Sequence, residues 1–252
     1  MQVGEPHKLE TPASPDELYY ARPPEVADFG NRPTFTGDVV RLPDGRLACA
    51  VQHPCAMRTG PKRNPVILVC SVSPFLDAIP GDWDGGHYRC MFLPDMNDQG
   101  AHAVEFVEMM LITPEEIDSA ERVAILSAYG VNLLLQRWTY HNNRVVIPTM
   151  TINAQNAGPF EEADLVGEAY DELAAAGDPI ARAEIKLERW LSNRSRGGPS
   201  QRDRLGDAQS RSTVRRELRT QVDQWVHELQ AAQAEGLAGS PSETSEDPPA
   251  RA

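Results

Sequence analysis

Long apolar runs are missing from this 252-residue chain. Its most apolar stretch, Val66-Ile67-Leu68-Val69-Cys70, falls far short of the roughly 20 residues that a membrane-spanning helix needs. The opening residues MQVGEPHKLE carry no apolar stretch either, so no secretory leader is expected and the cytoplasm is the expected compartment. The four cysteines, Cys49, Cys55, Cys70 and Cys90, include no CxxC pair. Without a leader, reduced thiols are expected, and Cys49 and Cys70 sit in strand-like runs where a thiol behaves as a small hydrophobe. No Walker loop, GxGxxG, HExxH, GxSxG or internal repeat occurs, so the usual sequence marks of several enzyme classes are absent. A positive balance is lacking too. The formal net charge is −13, which argues against whole-molecule attraction to nucleic acid or anionic membrane.

What charge there is lies unevenly. Residues 161–178 hold seven acidic side chains and no basic one, whereas residues 186–219 hold ten basic and four acidic. Such asymmetry marks either solvated helix faces or a contact between opposite charges, within the chain or with a partner.

Residues 1–33, with six prolines and no apolar period, read as an irregular arm that could wrap the core through Leu18, Tyr19, Tyr20 and Phe29. Strands are expected at Thr36–Leu42 and Leu47–Gln52, joined by the turn Pro43-Asp44-Gly45. Further strands are expected at Val66–Val72, buried on both faces, and at Tyr88–Leu93, Val104–Ile112 and Arg144–Ile152. Thr113-Pro114-Glu115-Glu116 carries a full helix-start signal, a capping box with proline at the first position, for a helix expected to run to Ala128. Helices are also expected over Val131–His141, Glu161–Ala176, from Asp178, and over Ser212–Ala234. The last carries Val214, Leu218, Val222, Trp225 and Leu229 on one face, a surface suited to a partner helix.

The β-rich part resembles the MazF/PemK family of toxin endoribonucleases. Gly37-Asp38-Val39-Val40, then Gly45-Arg46-Leu47-Ala48-Cys49-Ala50-Val51, then Leu68-Val69-Cys70-Ser71-Val72-Ser73 follow the order and approximate spacing of that family's strands. The resemblance covers residues 36–75 and implies an SH3-like barrel that binds and cleaves RNA without a cofactor. It implies Arg46 and Ser73 as the catalytic pair. Attack of a ribose 2′-OH on its own phosphate builds negative charge that a planar guanidinium meets with two hydrogen bonds, while a hydroxyl orients the phosphate.

Other residues suit binding. His53-Pro54-Cys55-Ala56-Met57-Arg58 precedes a Gly/Pro/Lys/Arg loop and admits three functional readings beside a buried thiol at a turn. Arg58, Lys62 and Arg63 form an anion-binding lip beside Arg46; or Cys55 is a nucleophile activated by His53 or His87; or His53, Cys55, His87 and Cys90 hold a zinc ion. Farther on, Arg137, His141 and Arg144 could meet phosphates while Trp138 or Tyr140 stacks on bases. Arg and His in a last helical turn also suit the helix dipole alone. The loop aspartates around Trp83 match no calcium loop and read as turn residues.

The sequence therefore predicts an α+β protein. An irregular arm (1–33) leads into a small SH3-like β-barrel (34–153), a helical C-terminal extension (154–235) and a disordered acidic tail (236–252). The leading reading is RNA binding with cleavage. The alternatives are a non-catalytic adaptor of a phage or mobile element and a zinc-stabilised binding module. Expected partners are RNA, a protein at the C-terminal helix and a second copy of the chain, with no membrane and no cofactor.

Overall fold

The computed structural model describes residues 8–29, 32–59, 62–79, 83, 88–97, 100–194 and 197–238. The expected acidic tail lies outside them from residue 239 onward. Within the described residues the chain is mixed α+β, a curled antiparallel seven-stranded sheet followed by a helical region.

The sheet is built outward from a hairpin. β2 (Asp38–Arg41) and β3 (Leu47–Ala50) pair antiparallel. Gly45, at φ 88°, takes the left-handed turn conformation that a side chain disfavours. β6 (Ile67–Pro74) pairs with β3, β8 (Gly100–Ile112) with β6, and β7 (Cys90–Asn97) with β8. On the other flank β9 (Glu121–Leu126) pairs with β2, and β1 (Tyr19–Ala21) closes the edge. Between Cys70 and Ser71 the register jumps from Met109 to Glu105, a bulge of the kind that bends and twists a strand. A separate two-stranded ribbon joins β4 (Arg58–Thr59) to β5 (Lys62–Arg63).

Alternate residues bury on opposite faces. Val39, Cys49, Cys70 and Val72 join Val104, Leu133 and Leu134 in one core. Val40, Ala48, Ala50 and Val69 join Ile67, Ile112 and Ile117 in another. This is the doubly buried pattern expected of Val66–Val72. α2 (Ala128–Asn143) covers the first face. Its start lies so close to the arm that a Cβ on Gly130 would stand 2.3 Å from the Leu18 carbonyl oxygen.

Two expectations are corrected. The capping box at Thr113 and Glu116 is present, but α1 (Pro114–Asp118) lasts a single turn. The next residues, ERVAIL, become β9, because sheet pairing on both edges overrides a local helix signal. The strand expected at Arg144–Ile152 is also not formed; α3 (Thr149–Ala175) begins inside it. Its first turn is capped from far away. The Glu10 carboxylate accepts from Thr149 N at 2.7 Å and from Thr149 Oγ1 at 2.5 Å. That places a negative charge at the positive end of the helix. No local sequence window contains both partners.

α3, α4 (Ile180–Ser192), α5 (Gln201–Gly206) and α6 (Arg211–Ala238) enclose a second core of Leu165, Leu173, Leu187, Leu191, Val214 and Leu218. Arg211, Arg215 and Arg219 of α6 pair with Glu161, Asp164 and Glu168 of α3. The opposed charge runs are thus an intramolecular contact. No helix of the described residues is long and apolar enough to cross a membrane.

Candidate functional site

Arg46 and Ser73 come to the same end of neighbouring strands. The β3–β6 register sets Ala48 opposite Ser71 and Leu47 opposite Val72. One further step sets Arg46 opposite Ser73, so both share a face. The Arg46 guanidinium is engaged: Nε donates to Asp44 Oδ2 at 2.6 Å and Nη1 lies 2.8 Å from Met110 Sδ. Hydrogen bonds from the Arg46 backbone and side chain hold the Asp44 carboxyl below its ordinary range. A phosphate arriving here competes with an ionised aspartate.

Arg63 does not open a lip beside Arg46. It clasps Asp118 through two 2.7 Å hydrogen bonds, and its Nε lies 3.2 Å from Glu184. The backbones of Arg58 and Lys62 pair in the β4–β5 ribbon. The side chains of Arg58, Lys62 and Cys55, and the whole of His87, lie outside the described residues. His53 stands in the turn before a short 3-10 segment at Pro54–Ala56, half-buried. Cys90 opens β7, buried and opposite Glu105. Among the described residues, no three His, Cys, Asp or Glu side chains are grouped to hold a metal ion.

Burial pushes the Cys70 thiol up to about 12 from an ordinary 9.0. Cys90 rises to about 11, through burial first and Glu105 second. Cys49 is also raised by burial. In the folded chain these sulfurs stay protonated and poorly nucleophilic. Folding stability from the thiols is fully present below about pH 9, the unfolded value, and is lost as pH climbs toward the folded values. Thermal melts from pH 8 to pH 11 are therefore expected to show a falling midpoint, smaller in Cys70→Ala. Iodoacetamide at pH 8 is expected to label Cys49, Cys70 and Cys90 only after unfolding, as mass spectrometry would read.

The end of α2 divides its cations between core and surface. Arg137 turns inward and is 2% exposed. It donates to the Glu10 carbonyl at 2.9 Å, and its guanidinium stands 5.1 Å from the Trp83 ring centre. The expected phosphate contact at Arg137 is thereby corrected. Gly130, Leu133, Leu134 and Arg137 recur at helical spacing, so Arg137 falls on the buried face. His141 Nδ1 lies 3.0 Å from the Tyr88 carbonyl oxygen. The Tyr88 and Tyr140 rings stand 5.7 Å apart. The exposed Arg144 guanidinium lies 5.7 Å from the first ring and 5.6 Å from the second. Arg144 caps the helix at φ 58° and makes no salt bridge among the described residues. Arg89, next to Tyr88, is exposed as well. Sequence reasoning found His141, Tyr140 and Arg144 but missed Tyr88 and Arg89, which come from the turn before β7, far from α2 in the chain.

The helical face expected to hold a partner is already used. Val214, Leu218 and Val222 are buried in the chain's own helical core, and Trp225 and Leu229 pack against it.

A cavity of about 700 Å³ separates the sheet from the helical region. Val40, Ile67 and Ile117 line its sheet side, and Glu184, Glu188 and Arg202 line its helical side. No sequence motif announces it, because its walls come from segments far apart in the chain. Comparison with protein-family models, with curated proteins and with solved structures finds no match.

Proposed function

We propose that the chain binds single-stranded RNA at the aromatic–guanidinium cluster formed by Tyr88, Tyr140, Arg144 and His141, with Arg89 beside it. The observation that carries this reading is Arg144 lying against both tyrosine rings without a carboxylate partner among the described residues. Stacking rings with a neighbouring cation suit successive unpaired bases and the phosphate between them. The resemblance to the MazF/PemK family, with an SH3-like reading of the curled sheet, supports RNA as the ligand. The attraction is local, because the chain as a whole carries −13. Neutralising about two phosphates gives a log K versus log salt slope of about −1.4.

Fluorescence anisotropy with a labelled decanucleotide tests this. Tyr140→Ala is expected to weaken binding by about 1–3 kcal/mol, and Arg144→Ala to weaken it and flatten the salt slope. Affinity unchanged in both variants refutes the site.

Cleavage is a second reading, favoured by the shared face of Arg46 and Ser73. Arg46 would meet the phosphate charge and Ser73 would orient it. On expression, RNA fragmentation that Arg46→Ala abolishes is the expected result; intact RNA with the unaltered chain excludes it.

A further inference from the structure

The cavity between sheet and helices has the composition of a ligand site, and its two walls differ in charge. On the sheet side Asp38, fully buried, faces two cations: Arg32 Nη1 at 3.1 Å and Arg122 Nε at 3.3 Å. Glu121 lines the same side but is paired with Arg41 at 3.3 Å, so two cations on Asp38 leave this wall a net positive charge. The Arg122 side chain is 9% exposed, and its Nε makes no hydrogen bond. The other two guanidinium nitrogens of Arg122 hold the carbonyls of Phe29 and Arg32. Arg32 is itself 9% exposed and lines the cavity. It donates to Asp38 at 3.1 Å, and no other hydrogen bond of its side chain occurs among the described residues. Its guanidinium thus brings unused donors to the cavity lining.

The helical side has the opposite balance. Arg202 lies between Glu162 and Glu188, one cation on two anions. Glu184 adds a third carboxylate on this side and meets Arg63, which reaches across from β5 and is also held by Asp118 of α1. Between the walls the lining is apolar and aromatic, from Val40, Ile67, Ile117 and Phe35. The volume of about 700 Å³ suits a small organic molecule. A ligand that matches all three parts carries an anionic group, a flat apolar body, and N–H donors at its far end. A bare anion would face the acidic wall unaided, and a neutral molecule would leave the Arg32 donors unused.

We propose that this cavity binds a nucleoside monophosphate, its phosphate on Arg32 and the amine of its base toward Glu184 and Glu188. The site lies apart from the tyrosine cluster, and the proposal does not rest on RNA binding.

Isothermal titration of the full chain with AMP, CMP and GMP tests it. At least one is expected to bind with Kd of about 0.1 mM or tighter. Adenosine and inorganic phosphate are expected to bind at least about tenfold more weakly. Arg32→Gln should weaken binding by a similar factor. Because Arg32 also pairs with Asp38, Ala181→Trp provides an independent variant. Ala181 is exposed and lines the cavity, so the indole obstructs it while the thermal midpoint stays unchanged. Loss of binding in Ala181→Trp supports the proposal. It is overturned if none of the three nucleotides binds at about 1 mM. Nucleotide affinity undiminished in Ala181→Trp, or adenosine binding as tightly as AMP, would overturn it equally.

Discussion

Asp38→Ala is expected to destabilise the fold by about 3–5 kcal/mol, read as a lowered urea midpoint at pH 7. Asp38 is fully buried and stands between Arg32 and Arg122, whose side chains are 7% and 9% exposed. Its carboxylate also accepts from Phe35 N at 3.1 Å. Removing it leaves two guanidinium groups out of water with no counter-charge, and a backbone donor unpaired. The cost of such a variant comes chiefly from the stranded charges, not from the pair's own net worth. Asp44→Ala, at the exposed turn beside Arg46, is the comparison and should leave the urea midpoint nearly unchanged. An Asp38→Ala midpoint close to the parent's would contradict the arrangement of the cavity's positive wall.

Arg202→Ala is expected to cost a similar ~3–5 kcal/mol, by the mirror-image route. Arg202 Nε and Nη2 donate to Glu162 at 2.7 and 2.9 Å, and Nη1 and Nη2 donate to Glu188 at 3.1 and 2.8 Å. Those glutamate side chains are 10% and 6% exposed. Without the arginine, two poorly hydrated carboxylates face each other where α3, α4 and α5 meet. The triple variant Arg202→Met with Glu162→Gln and Glu188→Gln should recover most of the loss, because no stranded charge remains. If the triple variant is as unstable as Arg202→Ala, packing and not charge accounts for the effect.

The parts of the fold that were legible are those whose cause is local. The hairpin around Pro43-Asp44-Gly45 follows from one turn signal between two apolar runs. β6 follows from a β-branched run, and the buried face of α6 from its apolar spacing. The contact between residues 161–178 and 186–219 was legible as charge asymmetry alone, and it resolves into the Arg211, Arg215 and Arg219 ladder. What stayed hidden depends on distant partners. β9 reads as helix until β1 and β2 flank it. The first turns of α3 depend on Glu10, and β1 comes from a proline-rich arm with no strand pattern of its own.

The candidate sites divide in the same way. The shared face of Arg46 and Ser73 follows from strand order, and His141, Tyr140 and Arg144 follow from one helix end. Tyr88 joins that cluster only because β7 begins beside α2. Arg137 reads as a phosphate contact or a last-turn cation from its charge, and its spacing from Leu133 and Leu134 is what carries it to the buried face. The cavity walls combine Arg32, Arg122, Glu162, Glu188 and Arg202, and no local window of the sequence links them.

The most direct test of RNA binding at the tyrosine cluster is photo-crosslinking of the full chain to a 4-thiouridine-labelled RNA, with the attached peptides identified by mass spectrometry. Crosslinks on the peptides that carry Tyr88 and Tyr140, lost in Arg144→Ala, are the predicted result. No crosslink at all, or crosslinks confined to the Arg46 hairpin and unaffected by Arg144→Ala, would contradict it.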